Sequence, residues 1–296
     1  MTTEALVHAP QTVRSSPKKL LPPGIYPDMP FSEYVMIDAV NHSSLRHMSR
    51  SPAHFKAAYD SPGSGDTPSK AFGTAAHSLI LEPGRFAKEA LRGPVNPKTQ
   101  KTYGRDTNAW RDFVQANPGR LLLEDDEMER LGGLAAAWAK HPKAPMLMAP
   151  GGQSEVVIVW REGSALCKMR VDRLFPTVGA FDLKSTECAE PSAMARSLVK
   201  YHYHTQAAFY VRGLRAANLP ASITFVAVES DVPHGITFFE VGEETIKAAD
   251  GLVHGWLHKL ARCQASNEWP SYPDDVVQLE APNWWLKAFA DGFIDD

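Results

Sequence analysis

Apolar residues recur at three- and four-residue spacing from Lys70 to the residue before Pro83, through Phe72, Ala75, Ala76, Leu79 and Ile80, which predicts a helix. The run DDEMERLGGLAAAWAKHP after Glu124 predicts another, weakened by Gly132-Gly133 and closed before Pro142. The period then changes. In GQSEVVIVWREGSALCKMRVDRLFPTVGAFDLKST, three β-rich runs are separated by Arg161-Glu162-Gly163 and by Pro176-Thr177-Val178-Gly179, a three-stranded meander. A long helix is predicted from Pro191 to about Ala217, where Asn218 and Pro220 stop it. Two strands, ITFVAVES and GITFFEV, and a helix from about Glu243 to Gln264 complete the pattern. This order describes one α/β domain over residues 31–296, with a central mixed sheet flanked by helices.

The flanks read differently. Residues 1–30 carry Pro22-Pro23-Gly24 and Pro27, which suit neither helix nor sheet, and predict a flexible arm. Asn41, Ser43 and Ser44 offer caps for a short helix, Ser51-Pro52 restarts a second, and the Gly, Pro and Ser content of residues 61–70 predicts a mobile loop. Residues 92–120, interrupted by Pro94, Pro97 and Pro118, predict loops around one short helix near Trp110.

Composition narrows the function classes. With 31 Lys+Arg against 34 Asp+Glu the net charge is -3, which excludes a polybasic protein that holds nucleic acid by bulk charge, though not a local basic groove. The scattered Cys167, Cys188 and Cys263 can build neither a disulfide framework nor a four-cysteine zinc or iron–sulfur site. A reducing cytoplasm fits that usage. No run approaches the roughly 18 apolar residues of a membrane span, and the first residues lack the apolar core of a signal peptide, so the expectation is a cytoplasmic protein with no membrane partner.

Side chains alternate faces along a strand. In LCKMRVD this puts Cys167, Met169 and Val171 on one face, a core face, and Lys168, Arg170 and Asp172 on the other. In AFDLKS, Phe181 and Leu183 oppose Asp182 and Lys184. If the two strands pair through the turn between Phe175 and Gly179, Asp172, Asp182 and Lys184 converge. Two close carboxylates raise each other's pKa unless a cation compensates them. One outcome is surface ion pairing with Arg170, Arg173 and Lys184. The other is a divalent metal, for which hard oxygen ligands suit Mg²⁺ or Mn²⁺ and a nearby lysine orients or deprotonates the attacking water.

The pairing of Val171-Asp172 with Asp182-Leu183-Lys184 resembles the PD-(D/E)XK nuclease signature. Further motifs follow in order: Gly73-Thr74-Ala75-Ala76-His77, Leu81-Glu82-Pro83, Ser154-Glu155, Arg170-Val171-Asp172-Arg173, Asp182-Leu183-Lys184-Ser185-Thr186, and Tyr203-His204-Thr205-Gln206-Ala207-Ala208-Phe209-Tyr210. Together, from about Asn41 to Trp269-Pro270, they resemble the exonuclease VIII (RecE) nuclease domain. The resemblance implies a PD-(D/E)XK nuclease-like core and a Mg²⁺-dependent 5′–3′ exonuclease that resects linear double-stranded DNA, leaving 3′ single-stranded tails for homologous recombination. It implies that Asp172 and Asp182 bind the metal with His77 in its shell, and that Lys184 positions or activates water. It also implies a ring-shaped homo-oligomer around DNA and a single-strand annealing protein as partner. Arg170, Arg173, Arg196 and Lys200, with Lys184, are the candidate DNA-facing cations. The core motif leaves open an endonuclease or repair nuclease of the same superfamily, or a catalytically inactive DNA-binding module.

Gln206 and Tyr210 lie one helical turn apart and share a face with His202; related nucleases place such a pair near the active site and DNA backbone, and the other reading is ordinary helix packing. Glu155, opening EVVIVW, ranks below the two aspartates, as a further acidic group or an exposed strand start. His202 and His204, two apart on the predicted helix, should point in different directions and not share an ion. Trp284-Trp285 either stacks on bases or, the favoured reading, fills an interface or covers a core edge.

Overall fold

The computed structural model describes residues 18–61 and 68–290. Short pieces come first: β1 (Gly24–Tyr26), α1 (Phe31–Met36), α2 (His42–Leu45) and α3 (Pro52–Asp60). Then come α4 (Pro68–Leu81), α5 (Pro83–Glu89), β2 (Ala90–Arg92), α6 (Asn108–Ala116), β3 (Leu121–Leu123), α7 (Asp125–Lys140) and α8 (Ala144–Leu147). The meander follows as β4 (Gln153–Glu162), β5 (Ala165–Phe175) and β6 (Gly179–Thr186). After it come α9 (Pro191–Lys200), α10 (Tyr203–Ala216), β7 (Ile223–Glu229), β8 (Ile236–Glu240), α11 (Glu243–Ser266) and α12 (Asn283–Ala290).

One six-stranded sheet runs β1-β4-β5-β6-β7-β8, and only β6 and β7 pair in parallel, so the predicted mixed α/β sheet is what forms. Both faces are covered, which explains why Val156 to Trp160 are buried without alternation. On one side α10 and α11 pack Phe209, Leu214, Val253 and Leu260 against Ile158, Trp160 and Met169. On the other, α4 and α7 pack Phe72, Ile80, Leu131 and Leu134 against Phe181, Leu183 and Val226. The alternation read from the sequence is the one that folds, with Cys167, Met169 and Val171 in the first core and Phe181 and Leu183 in the second.

The β5–β6 turn depends on Gly179, whose φ of +132° lies in the region that side-chain-bearing residues rarely adopt. A Cβ there would stand 2.5 Å from the Ser222 carbonyl oxygen. Gly179→Ala is therefore expected to lower stability by more than about 1 kcal/mol. An unchanged urea midpoint would contradict this.

Several expectations are corrected. Residues 1–17 and 62–67 lie outside the described residues, so the arm and the loop are not followed there. Part of the predicted arm feeds the sheet: Gly24–Tyr26 pairs antiparallel with Val157–Val159, and Tyr26 packs on a small cluster with Val157 and Val159. Proline is tolerated on an edge strand, so Pro22, Pro23 and Pro27 limit β1 to three residues without preventing it. The predicted helix from Pro191 breaks at Tyr201-His202, where His202 takes a left-handed φ of 62°. The break lets α9 set Met194 against Ala227 while α10 buries a different face against β4 and β5. Within 92–120 the loops surround α6 as expected, but β2 and β3 flank them as a two-stranded parallel ribbon. Arg92–Asp125 and Arg105–Glu127 ion pairs tie that segment to α7.

Candidate active site

The site forms where two strands separate. β5 and β6 pair only through Arg173↔Phe181, Leu174↔Ala180 and Phe175↔Gly179, after which β6 continues alongside β7 to Thr186↔Glu229. The backbone groups of β6 that β5 leaves unpaired find side chains instead. The Leu183 amide donates to Asp172 Oδ2 at 2.7 Å, and His77 Nε2, from α4, lies 2.9 Å from the Leu183 carbonyl oxygen. A carbonyl only accepts, so Nε2 carries the proton and the neutral ring's lone pair sits on Nδ1, 3.5 Å from Asp172 Oδ2. Burial lowers the His77 pKa, which keeps the ring neutral. Two acceptors therefore face each other, an arrangement that calls for a proton or a cation between them.

Glu155 completes this group. It stands opposite Asp172, between the pairs Ser154↔Arg173 and Val156↔Val171, with a left-handed φ of 58°. Ligand atoms of His77, Glu155 and Asp172 all lie within 4.8 Å of one another. Burial, reinforced by the Asp172 charge and opposed by Arg170, pushes the Glu155 carboxyl up to about 7. Burial and the neighbouring Asp182 likewise raise Asp172. One imidazole nitrogen and carboxylate oxygens, short of positive charge, form a donor set that a divalent cation fits.

Asp182, only 3% exposed, lies beside this group and is held from two sides. Its Oδ1 accepts from Gln206 Nε2 at 2.7 Å, and its Oδ2 is ion-paired with Lys184 Nζ. Burial disfavours the Lys184 charge, but Asp182 and Asp172 outweigh it and raise the pKa above its ordinary value, so Lys184 is an ammonium. Tyr210, one turn beyond Gln206, donates to the Arg170 carbonyl oxygen at 3.0 Å and braces β5. Asp172, Asp182, Lys184, His77, Gln206 and Tyr210 thus meet in one place, and Glu155, ranked lower from sequence, joins them.

The candidate cations divide. Arg196 and Lys200 are exposed on α9. Arg170 is tied to Glu155 at 2.8 Å and lies over the Phe31 ring. Arg173 donates to Ser154 Oγ and to the Ala149 carbonyl. These two arginines support the site's walls. The His202 and His204 rings stack with centroids 5.9 Å apart, against the sequence expectation, because His202 precedes the helix instead of belonging to it. Trp284 is 72% exposed and Trp285 43%.

The Glu155 shift has a pH consequence. A carboxyl whose folded pKa is raised favours folding while protonated, fully so below the unfolded value of 4.5, and that contribution is lost as pH rises through about 7. In chelator, thermal stability should fall over this window more steeply for the wild type than for Glu155→Gln. Parallel melting curves would contradict it.

A mixed sheet that opens around two aspartates and a lysine, with helices on both faces, is a PD-(D/E)XK nuclease-like fold. The chain belongs to the family described as "PDDEXK-like domain of unknown function (DUF3799)", which it matches over residues 41–280. Among solved structures it is similar to a protein from Eubacterium rectale named as a candidate exonuclease, with a TM-score of 0.53 and 13% identity over 85% of this chain and 93% of that one. No curated protein matches its sequence. The cysteines Cys167, Cys188 and Cys263 are free, and no described helix is long and apolar enough to cross a membrane.

Proposed function

We propose that the protein is a cytoplasmic, Mg²⁺-dependent 5′–3′ exonuclease that resects linear double-stranded DNA and leaves 3′ single-stranded tails for homologous recombination. The observation that carries the nuclease reading is the convergence of Asp172, Asp182 and Lys184 with His77 and Glu155 where β5 leaves β6. The DNA end, the polarity and the recombination role rest on the motif-by-motif resemblance to exonuclease VIII, as do a ring-shaped homo-oligomer and a single-strand annealing partner. His77, Glu155, Asp172 and Asp182 would hold Mg²⁺, with Mn²⁺ as substitute. When bound, the ion neutralises phosphoryl charge and lowers the pKa of water.

The chain's own groups divide the remaining work. Lys184, as an ammonium, donates to the attacking water or to a phosphoryl oxygen and so orients it without taking its proton. Gln206 fixes the orientation of Asp182, and Arg170 restrains Glu155. Arg196 and Lys200, exposed on α9, offer charge to the DNA backbone.

End-labelled linear duplex incubated with and without Mg²⁺ tests the proposal. Metal-dependent release of mononucleotides from the 5′ strand, with a covalently closed circle left intact, is expected. Cutting of the circle would replace exonuclease by endonuclease, and no hydrolysis of any DNA would remove the nuclease reading.

A further inference from the structure

A cleft of about 250 Å³ opens beside the site, bounded by Tyr34, Arg46, Tyr201, Tyr203, Gln206 and Tyr210. Two of the residues that bound it touch the candidate site. Gln206 is hydrogen-bonded to Asp182, and Lys184 Nζ stands 4.9 Å from the centre of the Tyr203 ring. From Tyr203 the aromatic surface continues outward, because the Tyr201 ring centre is 5.7 Å away at an interplanar angle of 36°.

The break in the predicted long helix produces this arrangement. Tyr201 ends α9, His202 turns the chain through a left-handed conformation, and Tyr203 begins α10. A continuous helix would set residues two apart on different sides, whereas the break brings both rings together at the cleft. Tyr201 remains 46% exposed and accepts Lys200 over its ring at 5.1 Å, so one face is buttressed by a cation while much of the ring stays open. The same cleft holds Arg46, whose Nε is enclosed and has no hydrogen-bond partner among the described residues. Its guanidinium lines the cleft and brings charged donors to it.

Clefts for drug-sized ligands measure roughly 300–1,000 Å³, so this one suits a single small planar group. Tyrosine rings, a guanidinium donor and adjacency to a phosphodiester-cleaving centre select one chemistry. We propose that the cleft binds the terminal nucleobase of the strand being cut, unpaired from its complement and stacked on Tyr201 and Tyr203. The proposal rests on the nuclease reading for the identity of its ligand. Stacking uses the π-face that every base has, so binding tolerates any sequence. It requires the end pair to open before the strand enters.

The test uses linear duplexes carrying 2-aminopurine as the terminal nucleotide of either the 5′ or the 3′ strand. In EDTA, the wild-type protein and Tyr201→Phe should quench the fluorescence of one of them, and Tyr201→Ala should lose most of that quenching. With Mg²⁺, Tyr201→Ala should hydrolyse the duplex about tenfold more slowly than wild type, the fold-change expected for one lost base–aromatic stack. An abasic terminal nucleotide should slow the wild type by a similar factor and slow Tyr201→Ala no further. No quenching by the wild type, equal quenching by Tyr201→Ala, or an abasic end cut as fast as a normal one would overturn the proposal. Quenching without hydrolysis of any DNA would instead leave the cleft standing and remove the nuclease reading.

Discussion

Lys184→Ala is expected to lower the Mg²⁺-dependent hydrolysis of linear duplex by at least about 10²-fold, the scale seen when one preorganised donor is removed from a reacting centre. The argument is electrostatic. Lys184 is the cation paired with Asp182, and the two aspartates hold it charged despite burial. Its loss removes the donor proposed to orient the attacking water or a phosphoryl oxygen and leaves the carboxylates without their compensating charge. DNA binding should persist, since Arg196 and Lys200 are untouched on α9. Lys184→Arg should fail to restore the rate, because a planar guanidinium cannot occupy the place of a compact ammonium beside Asp182. Rates within twofold of wild type, measured on protein with an unchanged circular dichroism spectrum, would sink the assignment.

The second large effect concerns stability. Phe209→Ala is expected to cost about 3–5 kcal/mol, a substantial share of the roughly 5–15 kcal/mol that holds a domain folded. The ring is fully buried, with its centre 4.8 Å from Trp160 and 6.2 Å from His42. It lies on the α10 face that presses on β4 and β5 in the core. A melting temperature lower by on the order of 10 °C should follow. The same variant is expected to loosen the placement of Gln206 and Tyr210 on the same helix, so activity should decline below the melting transition. A shift of less than about 2 °C would show that the site collapses around the missing ring at little cost.

The grouping of Asp172, Asp182 and Lys184 was legible because strand alternation and a glycine turn are local properties, and together they place Asp172 near Asp182 and Lys184. Glu155 was harder to place. Its left-handed backbone interrupts the alternation at the start of β4, so its sequence position did not say which face it would take. His77 could be assigned to a helix, but the direction of that helix's face depends on where Leu183 leaves its carbonyl free, a tertiary fact. Arg170 and Arg173 illustrate the opposite limit. Alternation set Arg170 on the Asp172 face and Arg173 next to it in the chain, while their partners Glu155, Ser154 and the Ala149 carbonyl come from a strand and a loop that no local pattern aligns with them. The break at His202 carries neither glycine nor proline, and is set by the packing of α9 and α10 on different partners.

The separation of β5 from β6 also determines which substitutions can report on chemistry alone. Because the Asp172 side chain replaces a missing strand partner for the Leu183 amide, this carboxylate is part of the sheet's own hydrogen bonding as well as of the candidate metal-ligating group. Asp172→Ala would orphan a backbone donor and confuse a folding defect with a catalytic one. Asp172→Asn keeps an oxygen for that amide and removes the charge, so it isolates the ligand role from the architectural one.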